Sequence, residues 1–332
     1  MLEVKAERDV VRVGRHFAVS FQRTLRIPDD GGTYPLPPGL GGFPVCRVDD
    51  YADRVPEAWR EEGGYFIPMY QREALWLSFT GAHWRPNAVK VGVGQVNAVT
   101  GDAWSERLRA RAQDYLVCPD QPWLDGINAG DGFIRQFVAM PLGMGYTVEA
   151  EVTGEEQHGG MQLVVVEPKP GRFPERPPRM DFAGKGMVMA CAAPTAPPGT
   201  EMGLGAGGRM EQEIFPDAHG IDTWDESRSA RVAIHIANSM TFREITGREP
   251  PPTPVSARTY AQHGLPWFEL YDEGRGGVAA AERLAKVRSV KEIDEAKGFR
   301  AQQDDEPVEV GEHLVVKLGG GGVAKAGLTD RR

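Results

Sequence analysis

Apolar and polar residues alternate with a period of two in several stretches of the chain, and these stretches predict β-strands. The clearest is residues 16–27, where one face carries Phe17, Val19, Phe21, Leu25 and Ile27. Arg23 interrupts this apolar face, which indicates either an edge strand or a buried ion pair. Further strands are predicted at residues 73–79, 88–93 and 134–142.

A β-hairpin is predicted in the middle of the chain. Apolar residues alternate with polar ones through residues 146–153 and resume at residues 161–167. The intervening residues 154–160 contain three glycines, which can adopt the positive φ values that a tight connection needs. We therefore expect residues 146–153 to pair antiparallel with residues 161–167.

Helices are predicted to be few and short. They occur where a capping residue or proline precedes a short run and a glycine follows it, or where apolar residues recur on one helical face. The predicted segments are residues 56–62, 239–246, 256–263 and 278–288, and a capping box at Ser289 and Glu292 opens a last short helix.

Proline-rich stretches divide the chain. They lie at residues 168–178, 193–208 and 248–256, and the first two bracket a predicted domain boundary. We expect a β-rich domain in residues 1–170, a Pro/Gly-rich linker in 171–209, a mixed part in 210–298 and a largely flexible tail in 299–332. The predicted fold class is α+β and β-rich, with an antiparallel sheet or sandwich, a smaller mixed C-terminal part and peripheral helices.

Composition and charge limit the classes of partner that we expect this protein to bind. The net charge is −9, and because phosphate backbones are bound by dense Lys/Arg surfaces, nucleic acid is not expected as the main partner. No apolar run approaches the length of a membrane span, and the first residues lack the apolar core of a signal peptide. Cys46, Cys118 and Cys191 are far apart and are expected to be reduced thiols. We expect a soluble cytoplasmic protein.

Residues 119–132 form the most unusual segment of the sequence. Asp120, Asp125 and Asp131 surround Trp123 in a stretch that two prolines stiffen. Carboxylates beside an indole ring are typical of carbohydrate or cation sites, because ring faces attract sugar C–H groups or positive charge. These four residues are the predicted ligand-binding set, and the alternative is a structural loop in which Trp123 closes one end of the core.

A second polar segment contains the candidate metal ligands Asp217, His219, Asp222 and Asp225. Carboxylates and an imidazole in one loop can hold a divalent cation or supply a base. The alternative is a polar surface turn in which aspartates cap the backbone, since the spacing matches no known metal motif.

His235 follows Ile234 in a predicted strand and lies among small residues on that strand's second face. It is a candidate titrating group, and with Asp217, His219 and Asp222 it completes the candidate catalytic set. The alternative is a hydrogen-bonded histidine with a purely structural role.

No motif implies a cofactor. The glycines of residues 203–208 follow a Pro/Ala stretch and precede a predicted strand, whereas a dinucleotide fingerprint needs a strand before it and a helix after it. The chain also contains no phosphate-binding GxxxxGK[ST] sequence and no GxSxG nucleophile elbow.

Several segments resemble those of a family of uncharacterised bacterial proteins. They are PDQPWLDGI (119–127), FVAMPLGMGYTVEAEVTG (137–154) and GLPWFELYDE (264–273), together with RTLRIPDDG and YPLPPGLG near the start. The resemblance covers the chain from about Gln22 to Glu273, and it implies no activity and no functional residue.

Two functions remain after these exclusions. The first is a cytosolic module that binds a small molecule or another protein, which stiff Pro/Trp/Asp loops between strands favour. The alternative is a hydrolase, with or without a bound metal, that uses the Asp/His residues described above.

Overall fold

A computed structural model describes residues 1–176, 201–253, 255–271, 277–300 and 302–319. The helices are α1 (Glu57–Glu62), α2 (Val148–Thr153), α3 (Ser239–Thr246), α4 (Ala257–Gln262), α5 (Glu282–Ala285) and α6 (Val290–Ala296). The strands are β1 (Val4–Glu7), β2 (Val10–Val13), β3 (Phe17–Thr24), β4 (Thr33–Tyr34), β5 (Gly39–Gly42), β6 (Cys46–Arg47), β7 (Tyr65–Met69), β8 (Ala74–Gly81), β9 (Asn87–Val93), β10 (Val96–Asn97), β11 (Leu116–Cys118), β12 (Trp123–Leu124), β13 (Gly126–Gly130), β14 (Phe133–Pro141), β15 (Met161–Pro168), β16 (Glu201–Glu211), β17 (Trp224–Asn238), β18 (Trp267–Tyr271) and β19 (Val315–Gly319).

Most strands belong to one large, mainly antiparallel sheet that contains two rows. In the first row β2, β3, β8, β14 and β16 are antiparallel neighbours in that order. In the second row β7 runs parallel to β17, and β17, β15, β9 and β11 are antiparallel neighbours. The rows join where Glu201 and Met202 of β16 pair with Ala237 and Ile236 of β17. The predicted β-rich α+β class is confirmed.

The main core lies between the two rows. Its buried side chains come from both, as with Phe21 and Leu77 from the first row and Val91, Leu163 and Ile234 from the second. Because one buried cluster contains side chains from both rows, we infer that the rows pack against each other as two layers.

The prediction of β3 is confirmed, and its one irregular residue is explained. Arg23 is buried, and its Nη2 lies 2.8 Å from Oε1 of Glu73. Because β3 pairs with β2 on one side and β8 on the other, it is not an edge strand. Arg23 therefore forms the buried ion pair, the second of the two predicted alternatives.

The predicted hairpin is wrong in its first half. Residues 161–167 lie in β15 as expected, but residues 148–153 form α2. Thr147 caps this helix by accepting the N–H of Ala150, and Gly154 ends it in the left-handed conformation. Val148 and Val152 are four residues apart, so they share a helical face as readily as a strand face.

Glu156 explains why the chain turns into a helix at this point. Its carboxylate accepts the backbone N–H groups of Gly145, Tyr146 and Thr147, and also the Thr147 hydroxyl at 2.7 Å. Burial raises the pKa of this carboxyl, but the hydrogen bonds outweigh burial and leave the pKa below its ordinary value. Residues 154–160 thus bind the start of α2 instead of joining two strands.

The end of the predicted 171–209 linker is a strand. Residues 201–211 form β16, which pairs with β14, and residues 177–200 lie outside the described residues. A Cβ atom at Gly203 would lie 2.7 Å from the Thr147 side chain, and one at Gly205 would lie 2.6 Å from the Tyr146 carbonyl oxygen. The glycines therefore permit close packing against the start of α2. They do not form the linker that the sequence predicted for residues 171–209.

The two predicted parts of the chain share the sheet. β16, at the end of the predicted linker, and β17, which follows it, pair with β14 and β15 of the first 170 residues. In the predicted tail, residues 302–319 are described, and β19 pairs parallel with β18.

The predicted helix at residues 278–288 is confined to α5, residues 282–285. The backbone N–H groups of Val278, Ala280 and Ala281 bond instead to Ile214, Asp131 and Asn128, respectively. These bonds hold residues 278–281 against β13 and its flanking segments, and Ala281 has an extended backbone, so the helix begins only after it.

Buried ion pairs fasten the C-terminal stretch to the sheet. Arg72, in the turn before β8, pairs with Asp294 of α6, whose Oδ1 also accepts the Tyr146 hydroxyl at 2.7 Å. Arg26 pairs with Asp305, and both side chains are at most 5% exposed. No helix among the described residues is long and apolar enough to cross a membrane.

Candidate functional site

The predicted Asp/Trp site is only partly accessible. Trp123 lies in β12 and is half-buried, and Asp120 is exposed. Asp125 is buried, and its Oδ2 accepts a hydrogen bond from Nε2 of Gln212 at 3.0 Å. Burial raises the pKa of the Asp125 carboxyl to about 7. Asp125 is therefore closed to solvent in this structure, and ligand binding by the predicted set stays a prediction.

Asp131, the fourth residue of that set, is exposed in the turn between β13 and β14. Its Oδ1 accepts the backbone N–H of Ala280 at 3.3 Å. Asp131 thus has a different environment from Asp125, and it fastens the stretch before α5 to this turn.

Asp217 of the predicted Asp/His site is a hydrogen-bond acceptor for its neighbours. Its Oδ2 accepts the Tyr115 hydroxyl at 2.6 Å and the Trp224 indole N–H at 2.9 Å, while Oδ1 accepts the backbone N–H of His219 at 2.7 Å. The His219 ring is exposed and contacts the edge of Trp224. These contacts support the structural alternative, in which Asp217 organises a surface turn.

The remaining predicted metal ligands do not complete a site. Asp222 is exposed, and Oδ1 of Asp225 accepts from the hydroxyl and backbone N–H of Ser227. Nowhere in the described ranges do three His, Cys, Asp or Glu residues form a group that could hold a metal ion. Asp225 lines an open groove of about 440 Å³ beside Lys169.

The contacts of His235 support its structural alternative, while a catalytic role stays a prediction. Its ring stacks on Trp59 with centroids 4.8 Å apart, and its Nε2 lies 2.9 Å from the carbonyl oxygen of Gly63. Burial lowers the pKa of the imidazole. A neutral ring that is stacked and hydrogen-bonded has little freedom to exchange protons with a substrate.

A second cavity, of about 400 Å³, is lined by more charged side chains than the groove beside Lys169, and we name it the Arg85 cavity. Its size is within the range of small-molecule sites. Segments far apart in the sequence line it, and the lining residues are Met1, Leu2, Glu3, Gly14, Arg15, His16, Arg85, Glu167, Glu175 and Arg228.

Arg85 is the most deeply buried charged group of this cavity, with 2% of its side chain exposed. Its Nη1 lies 3.0 Å from Oε1 of Glu175, and its Nη2 lies 3.8 Å from Oε2 of Glu167. Arg228 donates to the same Glu167 oxygen. Glu167 therefore lies between two guanidinium groups and is hydrogen-bonded to that of Arg228.

Strand ends and tight turns bring these groups together. Arg85 ends a turn closed by its backbone N–H bond to the carbonyl of Ala82, 2.8 Å away. Glu167 is the last residue but one of β15, which pairs with β17 beside Arg228. Gly14 has φ +60°, and a Cβ there would lie 3.0 Å from Oε1 of Glu167, so this turn favours glycine.

The Arg85 cavity is a better candidate site than the open groove beside Lys169. In the groove, the acidic side chains are already engaged, since Glu226 accepts the backbone N–H of Leu108 and Asp225 accepts from Ser227. The Arg85 cavity instead combines a buried guanidinium with charged groups from several segments. Such convergence of polar groups in a concavity is characteristic of binding sites.

The sequence contains no local motif for this cavity, because its lining residues span positions 1 to 228. The sequence does contain one signal for it. Glu167 follows the apolar run Leu163–Val166, and a carboxylate at the end of a buried strand needs a cationic partner. That argument predicts a nearby Arg or Lys, although it does not identify which one.

No protein-family model, curated protein or solved structure matches the chain.

Proposed function

We propose that the protein is a non-catalytic binding module that holds a small anion in the Arg85 cavity. The observation that carries this proposal is the 2% exposed guanidinium of Arg85 in a cavity that Arg15 and Arg228 also line. Guanidinium groups bind carboxylates and phosphates through paired hydrogen bonds of fixed geometry. A ligand with such acceptors could bond to Arg85, whose Nη2 is 3.8 Å from Glu167 and so makes no hydrogen bond to it.

The module is proposed to act in the cytoplasm. Cys46 and Cys118 are both buried and free, which suits a reducing compartment. The hydrolase alternative lacks a supporting observation, because Asp217 and His235 are each engaged in structural contacts.

Thermal unfolding with added anions tests the proposal. Sodium acetate, phosphate, sulfate and citrate are compared with sodium chloride at equal ionic strength, so that general salt effects cancel. At least one anion should raise the melting temperature in a saturable way, because a ligand that binds only the folded state stabilises it.

Arg85→Lys supplies the test of location. It keeps the charge but loses the planar fork, and we expect affinity for the anion to fall about tenfold or more. Arg12→Lys, on an exposed ion pair with Glu7, is the matched control and should respond like the parent protein. Arg15→Gln removes an exposed cavity charge without breaking a buried pair, and should also weaken binding. An Arg85→Lys protein with the parent's anion response would contradict the proposal.

A further inference from the structure

Glu175 occupies an unusual position in the Arg85 cavity. Its side chain is 67% exposed, yet its carboxylate contacts a guanidinium that is 2% exposed. Residues 169–176, which carry it, form turns and bends after β15 and contribute no helix or strand. A carboxylate on such a segment reaches into the cavity from solvent, as the acidic group of a ligand would.

Glu175 supplies the Arg85 guanidinium with a close carboxylate acceptor, which Glu167 does not. Arg85 Nη2 and Glu167 Oε2 are 3.8 Å apart, which is too long for a hydrogen bond. Glu167 is also held by Arg228 on the other side. The short contact of Arg85 with a carboxylate is therefore the one to Glu175, at 3.0 Å.

We propose that the ligand's anionic group is a carboxylate, and that Glu175 is a built-in competitor which this carboxylate displaces from Arg85. This inference rests on the proposed function. It names the ligand class, a monocarboxylic acid, and the group that regulates access to the same site.

The exchange at Arg85 favours a carboxylate because it replaces like with like. Arg15, Arg85 and Arg228 line the cavity with Glu167 and Glu175, while the carboxylate of Glu3 pairs with Lys5 at 2.7 Å. A ligand carboxylate that replaces Glu175 has the same charge and the same pair of acceptor oxygens as the group it displaces, whereas a phosphate dianion would bring a second negative charge beside Glu167. Leu2 lines the same cavity and offers an apolar wall to the carbon chain of the acid.

Chemical rescue with acetate tests this inference, because acetate carries the proposed head group alone. Glu175→Ala removes the competing carboxylate and leaves its space. The variant should bind acetate about fivefold more tightly than the parent protein, the factor expected when one partly exposed competing ion pair is lost. Its melting temperature should fall without acetate and recover as acetate is added.

Glu57→Ala is the matched control. Glu57 is 78% exposed and also pairs with an arginine, since its Oε1 lies 3.7 Å from Nη2 of Arg60. It should show the same acetate response as the parent protein. Glu175→Gln keeps the size of the side chain and removes its charge, so it gives the same measurement if the alanine variant folds poorly.

The outcomes separate the two proposals. If Glu175→Ala and Glu175→Gln respond to acetate as the parent protein and Glu57→Ala do, the competitor role of Glu175 is overturned. If phosphate stabilises the protein through Arg85 and acetate does not, the carboxylate class is overturned while the anion-binding function stands. If Arg85→Lys keeps the parent's response to every anion, the proposed function itself fails, and this inference fails with it.

Discussion

Arg23→Met removes the positive charge from the middle of β3 and leaves a similar apolar stem. The Glu73 side chain is 1% exposed, and after the substitution its carboxylate retains the N–H of Tyr70, 2.9 Å from Oε2. Breaking a buried pair from one side leaves an uncompensated charge. We expect the free energy of unfolding to fall by about 3–5 kcal/mol at pH 8.

The stability that Arg23→Met removes should increase as the pH rises. Burial raises the pKa of Glu73 from 4.5 to about 7, although Arg23 opposes this shift. A raised pKa means that stability falls as pH increases above 4.5, and in the parent protein this fall ends near pH 7. Without Arg23 the pKa of Glu73 rises further, so the variant continues to lose stability. The difference between the two proteins should widen by about 1.4 kcal/mol between pH 6 and pH 8.

Urea unfolding at pH 6 and pH 8, followed by tryptophan fluorescence, measures both quantities. Arg12→Met is the control, because Arg12 and Glu7 form an ion pair whose side chains are 55% and 57% exposed. Arg12→Met should lower the free energy of unfolding by less than about 1 kcal/mol at both pH values. A loss for Arg23→Met that is the same at both pH values, or smaller than that of the control at pH 8, would refute the reasoning.

Two further predictions concern residues that the sequence left unassigned or assigned differently. Gly205→Ala places a Cβ 2.6 Å from the carbonyl oxygen of Tyr146, and should lower the free energy of unfolding by about 1–3 kcal/mol in urea titrations; a neutral result would mean that α2 shifts freely. Asp217→Ala leaves Tyr115 and Trp224 without their acceptor, and should cost about 1–3 kcal/mol by the same measurement, with no change in bound metal by elemental analysis; a loss of bound metal without destabilisation would restore the metal-site hypothesis.

Local patterns predicted the elements whose structure depends on neighbours in sequence. The alternation in residues 16–27 gave β3, and Ser289 with Glu292 gave the capping box that opens α6. Both depend on side chains a few residues apart, which a single sequence displays directly. Arg23 also followed from pattern, since a charge on an apolar face requires a partner or an edge.

Long-range contacts decided the elements that the sequence did not predict. Residues 148–153 carry a strand pattern, but hydrogen bonds from the backbone of Gly145 and Tyr146 to Glu156 favour the helix. Gly203 and Gly205 lie in a strand because α2 begins against them. The Arg85 cavity has the same origin, because its charged groups meet only after β2, β15 and β17 are in place.

The two buried ion pairs at the C-terminal stretch impose an order on biosynthesis. Arg72 lies 222 positions before Asp294, and Arg26 lies 279 positions before Asp305. At a synthesis rate of roughly 5–20 residues per second, about 15–55 s pass between the synthesis of Arg26 and that of its partner Asp305. During that interval the nascent sheet carries a guanidinium with no counter-charge from Asp305, so this end of the sheet must stay hydrated. The native arrangement there can form only after the ribosome has added Asp305.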